Sequence, residues 1–372
     1  MGVGCVRITK LELFDRCLLL GAPGIGKTEI VKQKVQEEAS RKGKEFVDLR
    51  ERIPGDIFEK PEHYYVFYRI VAPHVFPEDL ALPKQSQRFV EFLPPKVLSV
   101  LSIPSIEGVL FIDELTNVQR DDQMSMFFSL ILEKEAGWML KLSDGVKIIA
   151  AANTSEWSEI ARALPKPLRN RMTIIAVDPP SIDEWIRYMH EKYADQWDTI
   201  VAAYLKVYEQ DFIKAPGEDD GFSAFPTPRS WTNLAVMLKK FEGADQEFRE
   251  EIVSGNVGKE VATRFIALMN TRIDVRAVLE ELKIRPEGFR NMKVNERLLV
   301  LNAFASMNPE KFAEYGKFVE YLANADRDYL IIAIALMDRN RKIRFFNTFV
   351  KHMQPIARDI SRYIFGGPND RS

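Results

Sequence analysis

The stretch "GAPGIGKT", residues 21–28, constrains this chain more than any other. It follows the apolar run "CLLL" and precedes a segment in which Val31, Val35 and Ala39 recur at every fourth position. The order strand, glycine loop, helix with G-x-x-x-x-G-K-T spacing lets backbone N–H groups curl around a phosphate chain, with the helix N-terminus adding a favourable dipole. The candidate phosphate-binding residues are Gly21, Ala22, Pro23, Gly24, Ile25, Gly26, Lys27 and Thr28. Lys27 would reach the β and γ phosphates of ATP, and the Thr28 hydroxyl would ligate Mg²⁺.

"VLFIDE", residues 109–114, is an apolar run ending in two acids, which puts both carboxylates at the C-terminal edge of a buried strand. On that edge Asp113 would hold Mg²⁺ and Glu114 would polarise an attacking water. "IIAAANT", residues 148–154, delivers Asn153 to the same edge, either to position that water or to cap the next turn.

Further apolar runs, "EFVDLR" and "MTIIAVD", alternate with amphipathic segments through residue 178, and the alternation predicts an α/β fold with a parallel sheet. Met124, Phe127, Phe128, Ile131 and Leu132 mark one face of a covering helix that Gly137 would close. "GWMLKLSDGV", residues 137–146, reads as a hairpin turning at Asp144-Gly145. The path of residues 51–74 is left unassigned. From "DPPS" at 178–181 onward helical periodicity takes over, and "KAPGEDDGFSAFPTPRS", residues 214–230, reads as a surface loop.

Length favours two or three units, and a formal charge of -2 argues against a nucleic-acid binder acting through its whole surface. Two cysteines, Cys5 and Cys17, and four scattered histidines support neither a disulfide framework nor a metal cluster. No long apolar segment opens the sequence, and "YLIIAIALM" is too short to span a bilayer; a cytoplasmic protein is expected. The basic, aromatic "DRNRKIRFFNTFVKH", residues 338–352, could stack on nucleic acid, but its phenylalanines fall at helical spacing and read better as a core face.

Together, "GAPGIGKT", "FIDEL", the strand ending in Asn153, "VFPEDLALP", "FLPPKVL", "LEKEAGWMLKLSDGVKIIAAANT" and "FPTPRSW" resemble the AAA+ ATPases, and within them the MoxR-like branch, over roughly residues 11–240. The resemblance implies an AAA+ P-loop NTPase core with a parallel sheet sandwiched by helices (1–178), an all-helical lid (179–290) and a C-terminal helical extension (291–372). It assigns a role to "LPKPLRNRM": Arg171 best matches the arginine finger that completes a neighbouring subunit's site, with Arg169 as alternative or companion and a solvated surface as the plain reading of both. Arg229 in "PTPRSW" matches the sensor-2 arginine of the lid. The resemblance further implies ATP hydrolysis with Mg²⁺, a homo-oligomeric ring such as a hexamer, and a protein client or a von Willebrand factor type A partner. The competing reading is an AAA+ motor or loader on nucleic acid.

Overall fold

The computed structural model describes residues 6–85, 87–137, 140–153, 163–215 and 223–349. The chain divides into two compact units, Met1–Pro179 and Pro180–Ser372.

The first unit is built on a seven-stranded parallel sheet. In chain order it contains β1 (Val6–Arg7), β2 (Cys17–Leu20), α1 (Lys27–Arg41), β3 (Glu45–Asp48) and β4 (Tyr64–Val71). A hairpin of β5 (Leu82–Gln85) and β6 (Val90–Leu93) precedes α2 (Lys96–Leu101), β7 (Glu107–Asp113) and α3 (Asp121–Glu133). The short strands β8 (Glu135–Ala136) and β9 (Leu140–Lys141) lead into β10 (Val146–Ala152), α4 (Lys166–Arg171) and β11 (Thr173–Asp178). The sheet order is β1-β11-β2-β10-β7-β4-β3, so β2, the strand feeding the glycine loop, lies between β10 and β11.

The central strands are apolar without alternation because both faces are covered. Leu110 and Ile112 of β7 and Ile148 and Ala150 of β10 join one core with Phe127, Leu130 and Ile131 of α3. Alternate residues such as Phe67 and Phe111 stack with ring centroids 6.4 Å apart, and α1 contacts β3, β4 and β7 while burying Val31, Val35 and Ala39. All five apolar runs picked out in the sequence are strands of this sheet.

Two local expectations are corrected, and the stretch left unassigned is placed. Residues 51–74 contain the eight-residue strand β4, inserted between β3 and β7. α3 ends at Glu133 with Lys134 (φ 58°), not Gly137, as its left-handed C-cap, and the Lys134 ammonium donates to the carbonyls of Val146 (2.7 Å) and Asp144 (3.1 Å). Its buried face centres on Met126, Phe127, Leu130 and Ile131, while Met124 and Phe128 are only partly covered. The hairpin pairs Glu135 with Lys141 and Ala136 with Leu140, so Asp144-Gly145 is not its turn; that dipeptide instead leads into β10, whose partners are parallel. Trp138 and Met139 lie outside the described residues.

Every described element of the second unit is helical. A capping box starts it: Glu184 N donates to Ser181 Oγ (3.3 Å) and the Glu184 carboxylate accepts from Ser181 N (2.7 Å), fixing the N-terminus of α5 (Ile182–Tyr193). There follow α6 (Ile200–Val207), α7 (Pro228–Lys240), α8 (Gln246–Met269, broken at Gly258), α9 (Val275–Leu282) and α10 (Val294–Ser306). The last described helices are α11 (Gly316–Ala325), α12 (Arg327–Leu336) and α13 (Arg339–Phe349). One apolar core runs through all of them, from Trp185 and Trp231 to Phe304 and Phe345. Inside it Asp211, fully buried, is held by Arg264 through Nε (3.1 Å) and Nη2 (2.7 Å), by the Tyr204 hydroxyl and by Lys214 at 3.3 Å. Much of the acidic loop expected at 214–230, residues 216–222, lies outside the described residues, as do Cys5 and the end of the basic stretch from 350 onward. Among the described residues no helix is long and apolar enough to cross a membrane.

Candidate nucleotide site

The loop from Gly21 to Gly26 joins the end of β2 to α1, and its glycines permit its path. Gly26, the N-cap of α1, has φ 94°, a left-handed conformation that side chains resist. Gly21 lies against β11, where an added Cβ would stand 2.7 Å from the Val177 carbonyl oxygen. Gly21 N donates to the Ala152 carbonyl (3.3 Å), which ties the loop to the end of β10.

Lys27 begins α1 and is nearly buried, at 8% exposure. Its ammonium donates to the carbonyls of Gly21 (2.7 Å) and Ala22 (2.8 Å) and to Asn153 Oδ1 (2.9 Å). Those acceptors hold the cation inside the loop by the same bonds that phosphate oxygens would replace. Asn153, directly after β10, is fixed in turn by Thr116, whose hydroxyl lies 3.3 Å from both its backbone N and its carbonyl oxygen. The amide therefore belongs to the loop's surroundings.

Thr28 Oγ1 donates to Asp113 Oδ2 at 2.8 Å, across from the end of β7. Glu114 follows with φ 58° and ψ 36°, an uncommon conformation for a residue with a Cβ and one that clusters at functional sites. The kink ends β7 abruptly. Its N–H donates to Asp113 Oδ1 (3.0 Å), and its carboxylate accepts from Asn117 Nδ2 (3.3 Å). Lys27, Thr28, Asp113, Glu114 and Asn153 thus gather at the C-terminal edge of adjacent strands β2, β10 and β7.

The Thr28 hydroxyl and Asp113 carboxylate are hard oxygen donors on neighbouring elements, as Mg²⁺ requires. Among the described residues no group of three or more His, Cys, Asp or Glu forms a protein cage. That donor set suits an ion that takes most of its ligands from phosphates and water.

Two sequence-chosen arginines stand elsewhere in the same unit. Arg169 and Arg171 are exposed on α4, and Arg171 lies 3.7 Å from Glu133 at the end of α3. Since Thr173 pairs with Cys17, the first residue of β2, Arg171 sits near the strand-start edge of the sheet, opposite the loop. Arg229 is exposed in the first turn of α7, in the second unit.

Sequence reasoning missed Arg69 and Asn117. Arg69 of β4 donates through Nε (3.0 Å) and Nη2 (2.7 Å) to Asp113 Oδ2. The available signal was a lone charge inside "YYVFYRIV", which burial does not tolerate without a partner. Cys17, by contrast, is buried at the start of β2, the end away from the loop, with its thiol pushed up to about 11 by burial, an inert packing residue.

The sequence of residues 17–179 matches the family described as the ATPase family associated with various cellular activities (AAA). No curated protein matches the chain. Among solved structures it is similar to NtrX from Brucella abortus in complex with ADP (TM-score 0.35, 15% identity, covering 90% of this chain and 65% of that one). It is also similar to the closed state of Hsp104 with ATPγS and FITC casein (TM-score 0.36, 15% identity, 79% and 47%) and to PCH-2 of C. elegans (TM-score 0.28, 12% identity, 68% and 60%). The chain spans less than two thirds of each of these proteins. The family match and the nucleotide-site residues fall on the same α/β unit, which is similar to ATPase domains of the AAA family.

Proposed function

We propose that the chain hydrolyses ATP as a MoxR-like AAA+ protein, assembles into a ring, most simply a hexamer, and uses the cycle to remodel a protein client. In this reading Lys27 leaves its three acceptors for the β and γ phosphates as the loop fills. Thr28 Oγ1 and Asp113 hold Mg²⁺, whose charge, when bound, offsets that of the phosphates. Glu114 orients the attacking water and takes its proton, and Asn153 fixes the water's second contact. The hydrogen bond from Asn117 keeps the Glu114 carboxylate turned aside until the site fills.

The observation that carries the ring is the position of Arg171. It stands near the opposite sheet edge from its own loop, separated from it by about the length of β2, roughly 13 Å. A finger on that side completes a neighbour's site, and a head-to-tail interface repeated by rotation closes a ring. Its exposed contact with Glu133 is weak enough to exchange for a phosphate. Such a finger contributes about 10³ to 10⁵ in rate. Arg169, two residues back, is its companion, and Arg229 is the lid's contribution to the γ-phosphate.

The competing motor or loader reading comes from the family resemblance, and the basic stretch beginning at residue 338 is the local feature that could stack on nucleic acid. Phe345 and Phe349 are 0% and 2% exposed within the helical core, so those rings are unavailable to stack on bases. A protein client, or a von Willebrand factor type A protein bridging to one, fits better.

The test is a pull-down with Glu114→Gln in ATP, which arrests the cycle in its engaged state. A protein retained with ATP and lost with ADP supports remodelling. Recovery of nucleic acid alone, with ATPase stimulated several-fold by DNA in a salt-sensitive manner, would replace this reading with the motor or loader.

A further inference from the structure

Arg69 is the charged residue of an otherwise apolar strand, and two of its guanidinium nitrogens donate to one oxygen. β4 runs parallel to β7 with Val71 opposite Asp113, which brings the Arg69 guanidinium to the carboxylate at the end of β7. Asp113 Oδ2 accepts from Arg69 Nε (3.0 Å), Arg69 Nη2 (2.7 Å) and Thr28 Oγ1 (2.8 Å). Oδ1 accepts from Glu114 N (3.0 Å). Asp113 is largely buried, with 10% of its side chain exposed, and Arg69 keeps 29%. Three donors on one oxygen exhaust its lone pairs.

We propose that Arg69 is a positioning residue that holds Asp113 as an ion pair in the metal-free site and competes with the divalent cation for that carboxylate. It thereby sets the magnesium concentration at which nucleotide binds tightly. The inference rests on Thr28 and Asp113 being the metal-binding pair. An oxygen that already accepts three donors must release at least one to serve a cation. Arg69 is the donor whose departure is favoured, because two positive charges cannot share one carboxylate cheaply while the neutral Thr28 hydroxyl can stay. Once released, its partly exposed side chain has solvent to enter. While in place, it neutralises Asp113 and keeps an acidic edge from repelling a polyphosphate that arrives without metal.

Removing Arg69 has two opposing effects. It frees Asp113 to attract the cation, and it removes a restraint on the carboxylate's orientation. The first is a full unit charge beside a divalent ion, and the second is only part of a set of bonds that Thr28 and Glu114 N continue to supply, so the first wins.

The experiment is equilibrium binding of a fluorescent ATP analogue titrated with Mg²⁺ for the wild type, Arg69→Gln, Arg69→Lys and Lys27→Ala, with thermal melts to verify folding. Arg69→Met keeps the apolar stem and replaces Arg69→Gln if that variant melts early. The expected result is half-maximal enhancement of binding at about tenfold lower Mg²⁺ in Arg69→Gln, within the usual range of coupling between linked sites. Metal-free affinity should fall in the same variant, and Arg69→Lys, which keeps the charge, should stay near the wild type. An unchanged or raised Mg²⁺ requirement in folded Arg69→Gln, or Arg69→Lys behaving like it, overturns the inference while leaving the nucleotide site standing. A wild type that binds no nucleotide at any Mg²⁺ concentration, or Lys27→Ala binding as well as the wild type, overturns the site reading and this inference with it.

Discussion

Lys27 Nζ donates a 2.9 Å hydrogen bond to Asn153 Oδ1, so the first residue of α1 and the residue that follows β10 are joined inside the phosphate loop. The bond spans 126 residues of sequence, and it makes the loop and the β10 edge a single unit that nucleotide must rearrange.

Binding and turnover should separate at this site. Lys27→Ala removes the loop's buried cation and is expected to weaken ATP affinity by about 100-fold or more, the value of losing one or two charge-assisted bonds. Glu114→Gln keeps the shape and should hold affinity within a few-fold while lowering turnover by about 10² to 10⁴. Binding of a fluorescent ATP analogue, paired with phosphate release, distinguishes the two. Equal loss of affinity in both variants contradicts the roles assigned.

The helical unit should be sensitive to Arg264. Burial alone would raise the Asp211 carboxyl, but its bonds from Arg264 and Tyr204 outweigh that and hold it below the usual carboxylate range. Arg264→Ala leaves this fully buried charge with Tyr204 and Lys214 only. A cost of about 2 to 4 kcal/mol is expected, toward the low side of breaking a buried pair because those partners remain. Denaturant unfolding of the variant measures it, and a change under about 0.5 kcal/mol would show the pair to be incidental.

Acid should loosen the same unit. His190 packs its ring 5.0 Å from that of Trp197, and burial together with the nearby Lys342 charge pushes it down to about 4, against Asp338, which raises it, and Arg341, which lowers it further. An unfolded histidine titrates near 6.5, so between about 6.5 and 4 the unfolded state binds more protons and stability falls as pH falls. The contribution is on the order of 2 kcal/mol. Lys342, itself pushed down to about 8 by burial and the Arg187 charge, adds a loss of stability in the same direction between about 10.5 and 8. Thermal melts at pH 7 and pH 5 should differ less in His190→Gln than in the wild type; an identical difference removes His190 as the cause.

Legibility in the sequence followed burial and locality. The strands β2, β7 and β10 were readable because burial on both faces makes continuous apolar runs, and the glycine loop was readable because its chemistry lies in eight consecutive residues. β4 was not, since Arg69 interrupts its run and the partner that makes the charge tolerable, Asp113, is 44 residues away. The hairpin was misplaced because Asp144-Gly145 is the stronger local turn signal, while parallel pairing of β10 with β2 and β7 overrides it. Lys134 at the end of α3 was hidden for a related reason: its left-handed conformation is secured by carbonyls at residues 144 and 146. The contact between the Asn153 amide and Lys27 was not readable, since the two residues lie 126 positions apart.

The central claim is a site completed in trans by Arg171, and mixed assembly tests it most directly. Arg171→Ala alone should retain ATP affinity and lose turnover by about 10³ or more, and Lys27→Ala alone should be inactive through loss of binding. Mixing the two inactive proteins should restore measurable ATPase, because some interfaces then join an intact loop to an intact finger. The account predicts that activity appears on mixing and rises with ATP as rings form. Mixed rings demonstrated by mass measurement but inactive at every ratio would contradict it.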